Sequence, residues 1–262
     1  MPHIEVTDVS LTYDTPSGQV PGVAGVSFSI EASEFLCIVG PSGCGKSTLL
    51  NIIAGFLAPS AGEIRIGGKA VTGHGLDRGV VFQDFAQLFP WRTALGNVTF
   101  GLEMKGIGKA EREQIALEQL KLVKLEKFVR SYPHHLSGGM QQRVAIARAL
   151  AYNPSVLLMD EPFAALDALT RRNMQEELKA LWDDVGFTVL FVTHSIEEAI
   201  LVGSRILVLS PHPGRVKAEL NADHLGFKDI GTPEFEKLHR RIHDLLFADK
   251  VETALATEIR NG

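Results

Sequence analysis

The stretch Gly40-Pro41-Ser42-Gly43-Cys44-Gly45-Lys46-Ser47-Thr48 constrains this chain more than any other. It matches the spacing G-x-x-x-x-G-K-[ST]. Phe35-Leu36-Cys37-Ile38-Val39, just before it, reads as a fully buried strand, and Leu49, Leu50, Ile52 and Ile53, just after it, have helical spacing. A glycine-rich turn between a buried strand and a helix start can curl its backbone N–H groups around phosphates. The helix start adds partial positive charge there. Lys46 can reach the β- and γ-phosphates, and the Ser47 hydroxyl can ligate Mg²⁺. A chance glycine turn would not bring both flanks with it.

The rest of the chain alternates short apolar runs with helical patterns, the signature of an α/β fold with a largely parallel sheet. Residues 4–13 alternate enough for an outer strand. The runs 80–82, 156–159, 188–192 and 206–209 read as buried strands like 35–39. Residues 110–129 set Ile115, Leu117, Leu120, Leu122, Val123 and Leu125 among Glu, Gln and Lys, a helix with a charged outer face. They fall in a helical subdomain spanning roughly 88–150. Thr232-Pro233 caps a last amphipathic helix carrying Phe235, Leu238, Ile242 and Leu245. The expected division is 1–215 for the main domain and 216–262 for a C-terminal helical extension.

The run 156–159 delivers Asp160-Glu161-Pro162 at its carboxyl end, where open α/β sheets place ligands. Asp160 is expected to hold Mg²⁺, directly or through water. Glu161, next along, is expected to polarise an attacking water as general base.

Leu136-Ser137-Gly138-Gly139-Met140-Gln141-Gln142-Arg143 makes the pattern specific. It resembles the LSGGQ signature of ABC ATPases, with Met140 in place of the usual glutamine. The phosphate contacts that the resemblance implies come from Ser137 and the Gly138 and Gly139 backbone at a helix start. The other motifs of that family follow in order. Tyr13 resembles the aromatic residue that stacks on adenine, although alone it would read as an edge-strand tyrosine. Gln83 resembles the Q-loop glutamine that touches Mg²⁺ and relays to the membrane partner. Ala165-Leu166-Asp167 resembles the D-loop, and His194 the switch histidine that contacts the γ-phosphate. The resemblance covers essentially residues 1–215. It implies an α/β P-loop NTPase fold of the ABC cassette type, with a mainly parallel core sheet, an antiparallel β subdomain and a helical subdomain.

A finer resemblance lies in Leu88-Phe89-Pro90-Trp91-Arg92-Thr93, in 97–102, and in the stretch 160–170. These look like the ATPases of nitrate, sulfonate and taurine importers. Phe89-Pro90-Trp91 would then lie where a membrane subunit docks, unless Trp91 simply fills core. Ser33 stands where a glycine often precedes Glu34, and Gly96 where an acid is common. With one phosphate loop and one signature, the chain is expected to form a homodimer with MgATP at the interface. Lys46, His194 and the opposite signature would stabilise charge, and Glu161 would orient water. The implied partners are transmembrane permease subunits and, indirectly, an extracytoplasmic solute-binding protein. The implied place is the cytoplasmic face of the inner membrane, as a peripheral subunit.

Composition limits the alternatives. Formal net charge is -5, whereas coating nucleic acid needs a basic excess, so no nucleic-acid partner is expected. No apolar run approaches the ~20 residues of a membrane helix. The N-terminus lacks the basic and apolar regions of a secretion signal. Cys37 and Cys44 read as reduced thiols, and Cys44, beside Lys46 and a helix start, is expected to favour its thiolate. Four other readings stay open at this point: a soluble ABC ATPase outside transport, a small-molecule kinase, a non-enzymatic nucleotide-sensing module, and an exporter.

Overall fold

Apolar runs become strands and periodic runs become helices, in the following order. First come β1 (Ile4–Thr15), β2 (Gly18–Ile30), β3 (Phe35–Val39), α1 (Lys46–Ala54), β4 (Ala61–Ile66), β5 (Lys69–Ala70) and β6 (Arg78–Val81). Then follow α2 (Ala94–Met104), α3 (Lys109–Leu122), α4 (Gly138–Leu150), β7 (Val156–Asp160) and α5 (Ala168–Val185). The last are β8 (Val189–Thr193), α6 (Ile196–Val202), β9 (Arg205–Leu209), β10 (Val216–Asn221) and α7 (Pro233–Asn261). The computed structural model describes residues 3–16 and 18–261, with side chains described up to 247 except at residue 85. Two compact units result: Met1–Ile30, Phe35–Thr72 and Val192–Gly262 in one, and Glu31–Glu34 with Gly73–Phe191 in the other.

In the first unit, β2, β1, β4 and β5 form an antiparallel sheet in that order. Alternation on β1 turns Ile4, Val6, Val9 and Leu11 inward. The step from Val6 to Val9 needs a bulge, and Asp8 there takes a φ of 50°. β10, β9 and β3 lie side by side, with β9 antiparallel to β10 and parallel to β3. Every residue of β3 is fully buried, as its unbroken apolar run requires. Burying each of its large side chains contributes about 1.5–3 kcal/mol. α6 packs on β3, and α7 packs on α6 and β9. Pro233 opens α7, and Thr232 Oγ1 accepts from the Phe235 N–H at 3.4 Å. Phe235, Ile242 and Leu246 form its buried side.

In the second unit, β8, β7 and β6 are neighbours, and β6 runs parallel to β7. Helices α2, α3 and α4 pack on one another, and α4 packs on β6. Asn97 is fully buried in α2. Its amide donates to the carbonyls of Phe89, Arg92 and Thr93, and its Oδ1 accepts from the Phe89 N–H at 2.8 Å. This one side chain fixes the loop 89–93. Ser33 takes a φ of 61° in the turn before β3, the left-handed region that a glycine enters without cost.

Three expectations change. Phe82 lies beyond the end of β6 and is exposed rather than buried. The helix expected to reach 129 stops at Leu122, because Lys124 takes a positive φ of 58° and the chain turns. Leu117 and Leu122 face outward, and only Ala116 and Leu120 of α3 are buried.

Candidate nucleotide site

The phosphate loop belongs to the first unit. β3 ends at Val39 and α1 starts at Lys46. Between them Gly43 and Gly45 take φ values of 78° and 96°, which an L side chain resists. The Cys44 N–H donates to Pro41 O at 3.2 Å and closes the turn. Ser42, Gly43 and Ser47 stay exposed. Gly45 stands at the N-cap of α1 and offers no side-chain cap, and a helix start of this kind suits an anion. Lys46 is buried, and its Nζ donates to Gly40 O at 2.8 Å and Pro41 O at 3.1 Å. The Tyr13 hydroxyl lies 2.9 Å from Thr48 Oγ1, which ties this exposed ring to α1.

Cys44 corrects the expectation of a thiolate. Its side chain turns inward, so that a Cβ on Gly40 would lie 2.5 Å from its sulfur. Burial pushes the thiol pKa up, and the nearby Lys46 charge only partly opposes this. Cys37 is raised further, first by burial and then by the Glu198 carboxylate.

His194 is an exposed residue between β8 and α6. The backbone around it is fixed by a small network. The Thr193 hydroxyl donates to the buried Glu198 carboxylate, and the Ser195 N–H donates to Thr193 Oγ1 at 3.0 Å. Ser195 Oγ caps α6 by accepting from the Glu198 N–H at 3.2 Å.

The second unit holds the remaining residues. β7 carries Asp160 at its end, and Glu161 follows with a φ of 44°. Both carboxylates are half-buried. A non-glycine residue in that region is strained, and such strain persists where the surroundings over-determine it. Arg171 does part of this. It donates to Phe163 O at 3.2 Å, Ala164 O at 3.3 Å and Leu166 O at 2.9 Å, which clamps the loop after Glu161. Asp167 caps α5, and the Thr170 N–H and hydroxyl beside it hold its carboxyl below the usual range.

Ser137 caps α4, accepting from the Met140 N–H at 3.4 Å. Gly139 is buried against α5, where a Cβ would lie 3.0 Å from Thr170 Cγ2. Gln83 is exposed in the loop after β6. That loop is bound to the signature helix. Gln87 Nε2 donates to Phe82 O at 2.8 Å, the buried Gln142 donates to the same oxygen at 3.4 Å, and Arg148 donates to Gln87 O at 2.7 Å. Trp91 is 71% exposed, so it does not fill core. It sits beside Phe89, which packs on Phe100 and under the Arg148 guanidinium.

The sequence profile of the ABC transporter family matches residues 23–164. The chain belongs to the ABC transporter family. It is an ATP-binding cassette and an ATPase. Among its relatives, the taurine import ATP-binding protein TauB of Rhizobium johnstonii is 51% identical over 229 residues, covering 84% of this chain and 87% of that one. The nitrate import ATP-binding protein NrtD of Synechocystis is 43% identical over 253 residues, covering 97% of this chain and 95% of that one. A dimeric post-hydrolysis structure of the ATP-binding cassette MJ0796, bound to ADP and Pi, is 39% identical with a TM-score of 0.72. It covers 86% of this chain and 100% of that one. The fold is therefore the α/β P-loop NTPase fold of ABC cassettes.

Within the first unit, the cassette gathers Tyr13, Gly40, Pro41, Ser42, Gly43, Cys44, Gly45, Lys46, Ser47 and Thr48 around one loop. Within the second, it joins Ser137, Gly138 and Gly139 to the start of α5 after Asp167, and links the loop of Gln83 to α4. Arg171, Gln87 and Arg148 carry structural roles that sequence reading missed, since an arginine clamp on carbonyls leaves no spacing signature. Among the described residues no three His, Cys, Asp or Glu side chains converge as a metal cage. Ser47 in the first unit, and Gln83 and Asp160 in the second, each carry oxygen donors of the kind that Mg²⁺, a hard ion, takes.

Proposed function

We propose that this ABC cassette energises import of a small solute of the taurine, sulfonate or nitrate kind through a separate permease. The observation that carries the reading is Trp91, a strongly exposed ring set beside the half-buried Phe89. It is tied through Phe89, Arg148 and Gln87 to the helix that begins at the signature. An exposed tryptophan near Arg92 and Arg148 suits a protein interface, where aromatic residues and arginine are enriched. The names of the taurine and nitrate relatives support the solute class. Among the described residues no helix is long and apolar enough to cross a membrane, which fits a subunit that docks on one peripherally.

In this reading two copies bind ATP between the phosphate loop of one and Ser137, Gly138 and Gly139 of the other, an isologous dimer with two equivalent sites. The dimeric MJ0796 structure supports it. Lys46 exchanges its contacts with Gly40 O and Pro41 O for phosphate oxygens. Tyr13 stacks on adenine. Glu161 orients and deprotonates the attacking water, and His194 contacts the γ-phosphate. Ser47, Asp160 and Gln83 would hold Mg²⁺, which neutralises phosphate charge when bound. Asp167 crosses to the other copy. Loss of the γ-phosphate weakens the dimer, and Gln83 with the loop 89–91 passes the change to the permease.

A tagged Glu161→Gln protein, captured with MgATP from detergent-solubilised host membranes, tests this. Recovery of a polytopic permease is expected, and its companion solute-binding protein would name the solute. Recovery of ribosomes or of no membrane protein would leave the ATPase standing and favour a soluble ABC ATPase outside transport.

A further inference from the structure

We infer that the turn at residues 210–215 is a brace for the phosphate loop and that His212 is a positioning residue for ATP binding. The inference rests on the phosphate-loop reading given above. The turn joins β9 to β10 and is closed on itself. The Ser210 N–H donates to Arg215 O at 2.9 Å, the Ser210 hydroxyl to Pro213 O at 3.1 Å, and the Arg215 N–H to Ser210 Oγ at 3.1 Å. A closed turn of this kind moves as one piece.

The piece is clasped to β2 and lies against the phosphate loop. The Gly214 N–H donates to Gly22 O at 3.1 Å, and Gly214 O accepts from the Ala24 N–H at 3.0 Å. A Cβ on Gly214 would lie 2.1 Å from Cys44 O, so only glycine lets the turn close on the phosphate loop. Gly45 meets the same strand, where its Cβ would lie 2.5 Å from Gly22 O. The loop thus touches both β2 and the turn.

His212 stands at the tip. A Cβ on Gly43 would lie 3.2 Å from its Nε2 and 3.5 Å from its Cε1, which puts the imidazole edge against that glycine. Gly43 has a φ of 78° and no side chain of its own to hold it there. Glycine loses more conformational freedom than any other residue when it is held in one conformation. A neighbour that narrows its choices orders the loop before nucleotide arrives, and preorganisation of this kind appears in affinity. His212 is exposed, and the hydrogen bonds that close the turn do not involve its side chain, so it can be changed without dismantling the brace.

The test compares purified His212→Ala, His212→Gln and Lys46→Ala proteins with the parent, by ATPase kinetics, by titration with a fluorescent trinitrophenyl ATP analogue, and by melting without nucleotide. His212→Ala is expected to raise KM for ATP and the analogue Kd about fivefold, with kcat within about twofold, a change equivalent to about 1 kcal/mol of binding. Its melting temperature stays with the parent's, because a purely structural role would move that instead. His212→Gln, which keeps a polar tip of similar reach, recovers most of the affinity. If Lys46→Ala loses analogue binding while His212→Ala keeps the parent KM and Kd, the inference fails and the phosphate-loop reading stands. A His212→Ala protein that melts lower with KM unmoved, or a His212→Gln protein no tighter than His212→Ala, overturns it as well. If Lys46→Ala binds like the parent, the phosphate-loop reading fails and takes the inference with it.

Discussion

Glu161→Ala and Glu161→Gly delete the same carboxylate and the same partners. Only the glycine variant also removes the Cβ that a φ of 44° crowds. An L residue held in the left-handed region costs roughly 1–2 kcal/mol. Against this, glycine raises the entropy of the unfolded chain and loses about 0.5–1 kcal/mol relative to alanine. At mid-range the difference leaves Glu161→Gly more stable than Glu161→Ala by about 0.75 kcal/mol. For a chain of this size that is about 1–4 °C in melting temperature. Almost anywhere else in the chain the order would be reversed. With Glu161 as the proposed general base, both variants are expected to lose turnover by about 10²–10⁴-fold. Scanning calorimetry and a phosphate-release assay on the same preparations give both readouts. An alanine variant as stable as the glycine variant would show that the backbone at 161 is unstrained. Turnover in either variant within about tenfold of the parent would remove Glu161 from the base role.

Two further outcomes follow from the loop geometry. Maleimide should label Cys44 and Cys37 slowly in the native protein and fast in urea. Burial raises both thiol pKa values, so the reactive thiolate appears only at higher pH than for a free cysteine; native labelling as fast as in urea would contradict this. Arg171→Ala leaves three carbonyls at 163, 164 and 166 without their cationic donor. It should lower stability by about 1.5–3 kcal/mol in urea titration and depress kcat more than KM, and an unchanged kcat would show that the loop after Glu161 holds without the clamp.

The buried strands were legible where an apolar run is unbroken, throughout β3 and over 156–159 of β7 and 206–209 of β9, because both faces of such a run are covered. The phosphate loop was legible because its glycines, lysine and flanks are local. The thiol of Cys44 was misread, since the approach of Lys46 along the chain does not reveal that the sulfur turns under Gly40. Leu117 and Leu122 fit a helical count but fall off the buried side of α3, which packing alone decides. The positive φ of Glu161 has no signature in residue type. His212 meets Gly43 only because a distant turn folds back, so no spacing could reveal it. The exposure of Trp91 likewise follows from the Asn97 knot that fixes 89–93 and turns the ring outward.

The central claim is that ATP is bound between two copies of this chain, each supplying the half that the other lacks. Light scattering of Glu161→Gln protein with MgATP, with ADP, and without nucleotide addresses it most directly. The account predicts twice the monomer mass with ATP and the monomer mass in the other two conditions. A particle that stays monomeric while carrying one ATP per chain would contradict it.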